Sequence, residues 1–508
     1  MPDPTARLTR RSLIAASAGA MASGLLRPRA ALALLAGPQT PTLAHHWLGE
    51  VTPQGATVEL GHPVDLVGLE WRAPAQASVW LRFRARDGQW SSWVSAGANG
   101  HGPEARPDPD RHVGEPIWTG GTTAVQVRAK GTMSGVRVHL VNVQDAQATT
   151  RQAGSAASAA LAAHLPLATP TLAAGPGQPP IIARRAWAQR TSAPKVAPEY
   201  GAVRMAFVHH TENPNGYAAS EVPAMLRAIY VFHRYVNGWD DIGYNFVIDL
   251  YGRIFEARAG GIDEPVIGAH AGGYNHASTG VAVLGSFMAA PVSTAARDAL
   301  EALFAWKLSL HGVPAEGSVT VRVNPAGAVY SRFPANARVP LSRIAGHRDG
   351  DATDCPGNVL YGELPAIRAG VRRLAPNPAR ATLALTVPPL PPSTSSTPET
   401  VGATGTGNPE PGQPPTLSGV LKLLDGTLIA GAPIQVQART VSHKGEVVSE
   451  LTLAETTTNS AGTWTVDATP AALGASGMWL RALCPGAPGI GACVSDPLHL
   501  AAGLGVQA

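Results

Sequence analysis

The stretch Val203-Arg204-Met205-Ala206-Phe207-Val208-His209-His210-Thr211 decides the fold class. Its near-continuous apolar run from Val203 to Val208 reads as a buried strand. Ser220 can cap a helix whose apolar positions are Val222, Met225, Leu226, Ile229, His233 and Val236, and Gly238 ends it. Phe246–Leu250 and Arg253–Glu256 flank Tyr251-Gly252 as a hairpin. Gly280–Leu284 is a further strand, and Ser293 opens a long helix that stops near His311-Gly312. Leu364, Ile367, Val371 and Leu374 mark a last helix. Strands and helices mixed over residues 179–375 predict an α/β domain: a mixed central sheet flanked by helices.

Outward from this domain the pattern changes. Residues 146–178, rich in Ala, Thr, Gln, Pro and Gly, read as a linker. Residues 376–416, with Pro-Pro-Leu-Pro-Pro-Ser-Thr-Ser-Ser-Thr-Pro, read as a Pro-rich second one. In 45–145 Val79, Leu81 and Phe83 alternate with Trp80, Arg82 and Arg84, and Asp87-Gly88 supplies a turn before Trp90 and Trp93. That is the pattern of an antiparallel β-sandwich. Its tryptophans suit core or hairpin pairs, or a sugar-binding face. Residues 417–508 return to strand patterning and resemble the immunoglobulin-like or prealbumin-like accessory β domains of bacterial surface proteins.

Composition fits several domains. The 508 residues include 55 Gly and 45 Pro, with 44% hydrophobic and only 15% charged side chains. This excludes a coiled coil and a charge-rich disordered polymer. The net charge of +4 is too small to indicate nucleic acid, yet it suits anionic cell-wall polymers. In residues 1–44, Thr9-Arg10-Arg11-Ser12-Leu13-Ile14 opens an apolar run to Leu26, shorter than a membrane span. A twin-arginine export signal is expected there, and with it a secreted or wall-associated protein without a membrane span. In an oxidising compartment Cys484 and Cys493, nine apart, are expected to form a disulfide, which leaves Cys355 alone.

Cys355 ends the loop Gly346-His347-Arg348-Asp349-Gly350-Asp351-Ala352-Thr353-Asp354-Cys355. His209, His347 and Cys355 form a three-donor set of the kind that binds zinc and leaves a fourth position for water. Spacing alone fits a loop histidine and a buried thiol equally well. His210 reads as a support of the sheet, His45-His46 as exposed chain, and Tyr230 and Tyr235 as packing residues.

Six motifs occur in order: Arg185-Ala186-Trp187, Phe207 to Thr211, Gly238 to Phe246, Gly268-Ala269-His270, Gly273-Tyr274-Asn275, and Gly346 to Gly357. Over about residues 180–375 the chain resembles the peptidoglycan recognition protein and type 2 N-acetylmuramoyl-L-alanine amidase family. The resemblance implies zinc on His209, His347 and Cys355, with Tyr244 beside it to stabilise an oxyanion. Thr353 occupies the position two before the ligating cysteine, and His233, His270 and Asn275 match residues that contact a stem peptide. It implies an exported zinc amidase that cuts between N-acetylmuramic acid and L-alanine. The alternatives are a muropeptide-recognition module without catalysis and a wall-binding surface scaffold. The chain departs from the family at Glu256-Ala257-Arg258-Ala259-Gly260-Gly261, which lacks the Trp of many members, so a preference for the third stem residue does not carry over.

Overall fold

The computed structural model describes residues 41–72, 78–97, 101–102, 110–143, 171–172, 177–188, 192–376, 378–382, 384–386, 416–442, 445, 447–467, 478–500 and 506–507. The expected export signal and most of both expected linkers lie outside these residues.

Seven strands form the N-terminal domain: β1 (Thr42–Val51), β2 (Ala56–Trp71), β3 (Val79–Arg84), β4 (Val94–Ser95), β5 (His112–Val113), β6 (Ile117–Ala129) and β7 (Met133–Asn142). All pair antiparallel, in the order β1-β7-β2-β6-β3-β4 with β5 on β2. The expected two-sheet sandwich is therefore one continuous sheet. Strand β2 pairs with β6 from Ala56 and with β7 from Leu66 to Glu70, so the sheet passes from one neighbour to the next without a break. Val51, Leu69, Trp71, Leu81, Val127 and Val136 share its core. The tryptophans of the β3 hairpin hold arginines: the Arg82 guanidinium lies 5.1 Å from the Trp90 ring and 4.8 Å from Trp93.

The middle domain runs β8 (Ile181–Ile182), α1 (Arg185–Ala188), β9 (Met205–His210), α2 (Val222–Val231), β10 (Phe246–Ile248), β11 (Ile254–Glu256), β12 (Ser278–Val283), α3 (Thr294–Leu310), β13 (Ser318–Arg322), β14 (Arg338–Ser342), β15 (Ile344–Gly346), α4 (His347–Gly350) and α5 (Asn358–Leu374). Its sheet, ordered β15-β9-β12-β10-β11-β8, is parallel except at the β10–β11 hairpin. Alternate residues along each strand face opposite layers. Val208, Ile248 and Val283 meet α3 and α5, while Val247 and Ala282 meet α2. Ser293 caps α3 by accepting from the Ala296 amide at 3.1 Å, as expected. Ser220 caps nothing: it lies in a short 3₁₀ turn before α2, where Glu221 accepts from the Ala218 amide.

Helix α2 is buried all round rather than along one stripe. Val222, Met225, Leu226 and Ile229 are buried as expected, and so are Ala228, Tyr230 and Val231. The second covering layer is the N-terminal domain, whose Leu66, Trp118 and Val141 join the same cluster. Contact is close enough that a side chain at Gly68 would meet Phe232: a Cβ there would lie 2.1 Å from the ring. Tyr230 packs as expected, but Tyr235 is exposed.

The C-terminal domain is a true pair of sheets. One holds β16 (Ala379–Ala381), β17 (Ala384–Thr386), β18 (Thr416–Leu423) and β21 (Thr463–Asp467). The other holds β19 (Pro433–Val441), β20 (Val447–Thr457), β22 (Met478–Cys484), β23 (Cys493–Val494), β24 (Leu498–Leu500) and β25 (Val506–Gln507). Leu417 and Leu421 face Ile434, Val436 and Leu480 across its core. Strands β16 and β17 lie inside the segment expected to be linker. They are ordered by pairing with β18, a contact that local composition does not announce. Cys484 and Cys493, the pair expected to form a disulfide, are directly opposed on β22 and β23 and fully buried, with both thiols free in this structure. Arg439 and Arg481 reach the middle domain and pair with Asp263 and Glu264 at 2.7–3.2 Å.

Candidate metal centre

Neighbouring parallel strands bring the distant motifs together. His209 is next to last in β9, and His347 follows directly on β15, which pairs beside it. After the single turn of α4 the chain returns Cys355 to the same place, where its sulfur accepts from the His210 amide at 3.4 Å. Cys355 Sγ lies 3.8 Å from His209 Nδ1. His209 and His347 are fully buried and Cys355 nearly so. The expected three donors thus converge.

A fourth donor comes from another domain. His101, from the N-terminal domain, places Nε2 3.2 Å from His209 Nδ1 and stacks on His347 with ring centroids 4.4 Å apart. One donor atom from each of His101, His209, His347 and Cys355 lies within 4.8 Å of the others. Each imidazole is held from behind. Asp351 Oδ2 lies 2.9 Å from His347 Nε2, His270 Nδ1 lies 3.2 Å from His209 Nε2, and Glu115 Oε2 lies 3.2 Å from His101 Nδ1. Ligating histidines are oriented in this way. Room for the His270 ring depends on Gly280, where a Cβ would lie 2.3 Å from it.

The electrostatics suit a cation. Burial, with the neighbouring His347, holds His209 well below the usual histidine range, so it stays a neutral donor. Burial pushes the Cys355 thiol well up despite the His210 amide, so its thiolate requires a positive partner. Burial would also raise Glu115, but His101 outweighs it and holds the carboxyl at about 2. The residues present therefore fit a zinc ion, which takes mixed imidazole and thiolate donors.

The remaining expected residues surround this cluster. The Tyr244 ring lies 5.4 Å from those of His209 and His101. Its hydroxyl donates to Glu115 Oε1 at 2.8 Å, and burial with the Glu115 charge pushes its pKa well up, so it remains a donor. The Thr353 hydroxyl accepts from the Cys355 amide at 3.2 Å, which braces the loop. His233, in the π-helical turn Phe232–Val236, accepts from the Gly243 amide at 3.1 Å, and its Nε2 has no hydrogen-bond partner among the described residues. Asn275 accepts from the His270 and Ala271 amides. His233, His270 and Asn275, which the resemblance implies contact a stem peptide, are 0–1% exposed here, and Asn275 Nδ2 donates to the Gly102 carbonyl at 2.8 Å. The N-terminal domain covers them. On the other side a cleft of about 830 Å³ is lined by His101, Glu115, Trp80, Glu212, Thr353 and Cys355. His210 forms a pair with Glu212 at 2.9 Å.

His101 and Glu115 are absent from the expected site. They stand 108 and 129 residues before His209 and Tyr244 in another domain, and nothing in their local sequence marks them as partners.

Residues 199–358 match a family model described as N-acetylmuramoyl-L-alanine amidase, and residues 31–160 match a galactose-binding-domain-like N-terminal family. The human N-acetylmuramoyl-L-alanine amidase is 30% identical over 178 residues, 34% of this chain and 26% of that protein. Peptidoglycan-recognition protein SC2 of Drosophila melanogaster is 26% identical over 185 residues, 36% of this chain and 84% of that protein. The chain thus spans about a quarter of the length of the human relative. Wild-type Drosophila PGRP-LB aligns over 37% of this chain and 92% of its own at 26% identity, with a TM-score of 0.29. The family match over residues 199–358 and the sequence relatives bear out the resemblance carried by the six motifs.

Proposed function

We propose that the middle domain is a zinc-dependent N-acetylmuramoyl-L-alanine amidase, exported and acting on the amide between N-acetylmuramic acid and L-alanine of peptidoglycan. The observation that carries this reading is the convergence of His209, His347 and Cys355, with Tyr244 beside them. A domain built only to bind a muropeptide has no need of a buried imidazole and thiolate set. The match to an amidase family model over residues 199–358 supports the same reading. Among the described residues no helix is long and apolar enough to cross a membrane.

His209, His347 and Cys355 would hold the zinc. Zinc supplies Lewis-acid polarisation of a carbonyl and acidifies water toward a pKa of roughly 7. The protein's own groups do the rest. Asp351 and His270 fix the orientation of His347 and His209. The Tyr244 hydroxyl, kept protonated by its surroundings, donates to the oxygen on which charge develops. Asn275, whose side-chain amide now meets the Gly102 carbonyl, would offer that donor to a stem peptide only where the N-terminal domain does not cover it. Thr353 keeps Cys355 in register and lines the cleft through which a wall fragment approaches.

The test is digestion of purified peptidoglycan by the full chain and by Cys355→Ser, with elemental analysis for zinc and mass analysis of products. The expected result is one zinc per wild-type chain and free stem peptides beginning with L-alanine, both lost in the variant. A wild-type protein that carries zinc and binds muropeptide but releases no peptide would instead be a recognition module.

A further inference from the structure

We propose that His101, carried by the N-terminal β domain, is the fourth ligand of this metal centre, so that the chain holds its metal closed and latent, with Gly102 seated in the peptide site. The proposal rests on the zinc reading above and adds a residue and a state to it.

The position of His101 is the first argument. In a tetrahedral centre with bonds of about 2.05 Å to nitrogen and 2.3 Å to sulfur, neighbouring nitrogens lie about 3.3 Å apart and nitrogen and sulfur about 3.6 Å apart. His101 Nε2 and His209 Nδ1 are separated by 3.2 Å, and His209 Nδ1 and Cys355 Sγ by 3.8 Å. A residue serving a metal-activated water would stand behind that water, one hydrogen bond further out. His101 Nε2 instead stands at the distance of a ligand. The widest separation, 4.8 Å, exceeds that of a loaded centre, so metal would draw the set together.

Orientation is the second argument. Glu115 holds His101 Nδ1 as Asp351 holds His347 Nε2, which commits the opposite nitrogen to the centre.

The third argument is what the same contact occupies. Asn275 gives its amide to the Gly102 carbonyl, as it would to a carbonyl of a bound peptide. Tyr244 gives its hydroxyl to Glu115, so it is not aimed at a substrate oxygen. Two groups assigned to binding and catalysis are thus satisfied at once by Gly102 and Glu115. Docking of the N-terminal domain on α2, through Leu66, Trp118 and the Gly68–Phe232 contact, fixes that arrangement. Four protein ligands make a structural kind of centre, and three with an open position make a catalytic kind. Withdrawal of His101 would convert the first into the second.

The test uses the full chain loaded with cobalt(II) or zinc, as wild type and as His101→Ala. Metal content is measured first, and azide is then titrated into the cobalt forms while their visible absorption is followed. One metal per chain is expected in both. Millimolar azide should leave the wild-type spectrum unchanged and alter that of His101→Ala. Zinc should pass to a chromogenic chelator at least about tenfold faster from the variant. Cleavage of muropeptide by the variant should rise at least about tenfold, since a state populated at a few per cent becomes the main one. A metal-loaded wild type that takes azide as the variant does overturns the fourth ligand and leaves the zinc centre standing. A variant with unchanged cobalt spectrum and slower cleavage makes His101 a proton carrier instead, and also overturns it. Wild type without metal defeats the zinc reading itself. If His101→Ala does not fold, the azide titration of wild type decides alone.

Discussion

Replacing Tyr244 by Phe tests the catalytic reading with one atom. The ring is fully buried against His209, His101 and His233 at centroid distances of 5.4, 5.4 and 5.7 Å, and Phe keeps all of that packing. Only the hydroxyl is lost. Its observed acceptor is the buried Glu115 carboxylate at 2.8 Å, a charge-assisted bond worth about 1.5–3 kcal/mol. In the turnover state the same donor serves the developing oxyanion, where removal of one donor costs roughly 10²–10³-fold in rate, about 3–4 kcal/mol. The hydroxyl is not among the four candidate ligands, so zinc content should not change. Steady-state cleavage of a defined muropeptide should therefore show kcat reduced about 100-fold or more with KM little altered. Wild-type kcat in a fully zinc-loaded variant would refute the role of Tyr244, and a fall in zinc content would show that the hydroxyl supports the metal rather than the reaction.

Other consequences are checkable without substrate. Asp263→Ala leaves the buried Arg439 and Arg481 with fewer partners and should cost about 3–5 kcal/mol, read as earlier urea unfolding of the full chain; an unchanged midpoint would show that the cluster adds nothing to stability. Burial would raise the pKa of Glu70, but the His139 hydrogen bond and Arg111 outweigh it and hold the carboxyl at about 2, with His45 behind His139 and Arg137 across the ladder. Its folded pKa is below the unfolded value, so its contribution is present above about pH 4.5 and is lost as pH falls toward 2. The stability difference between wild type and Glu70→Gln should shrink over that window, and a difference independent of pH would contradict the assignment. Oxidation should join the opposed Cys484 and Cys493, stabilise the C-terminal domain by about 2–3 kcal/mol and leave Cys355 unlinked, which non-reducing peptide mapping checks.

The middle domain was legible in the sequence because its information is local. The apolar run into His209 can only be a buried strand, the hairpin around Tyr251-Gly252 has its turn residues in place, and Ser293 announces the start of its helix. The donors His209, His347 and Cys355 were legible through the ordered motifs that carry the family resemblance rather than through their spacing, and parallel pairing of β9 with β15 carries the two histidine motifs together. Strands β16 and β17 were not legible, because short segments amid Pro-rich chain are held by a partner strand rather than by their own pattern. Helix α2 likewise read as amphipathic, and only the docking of a second domain explains why its outer face is buried too. The decisive case is His101. A histidine followed by glycine carries no local signal, and its place beside His209 depends on the packing of one domain against another. Sequence determined which side chains could bind a metal in the middle domain. Tertiary structure alone decided that a fourth donor, from a domain 108 residues upstream of His209, stands among them, because coordination is set by distance in space and not by spacing along the chain.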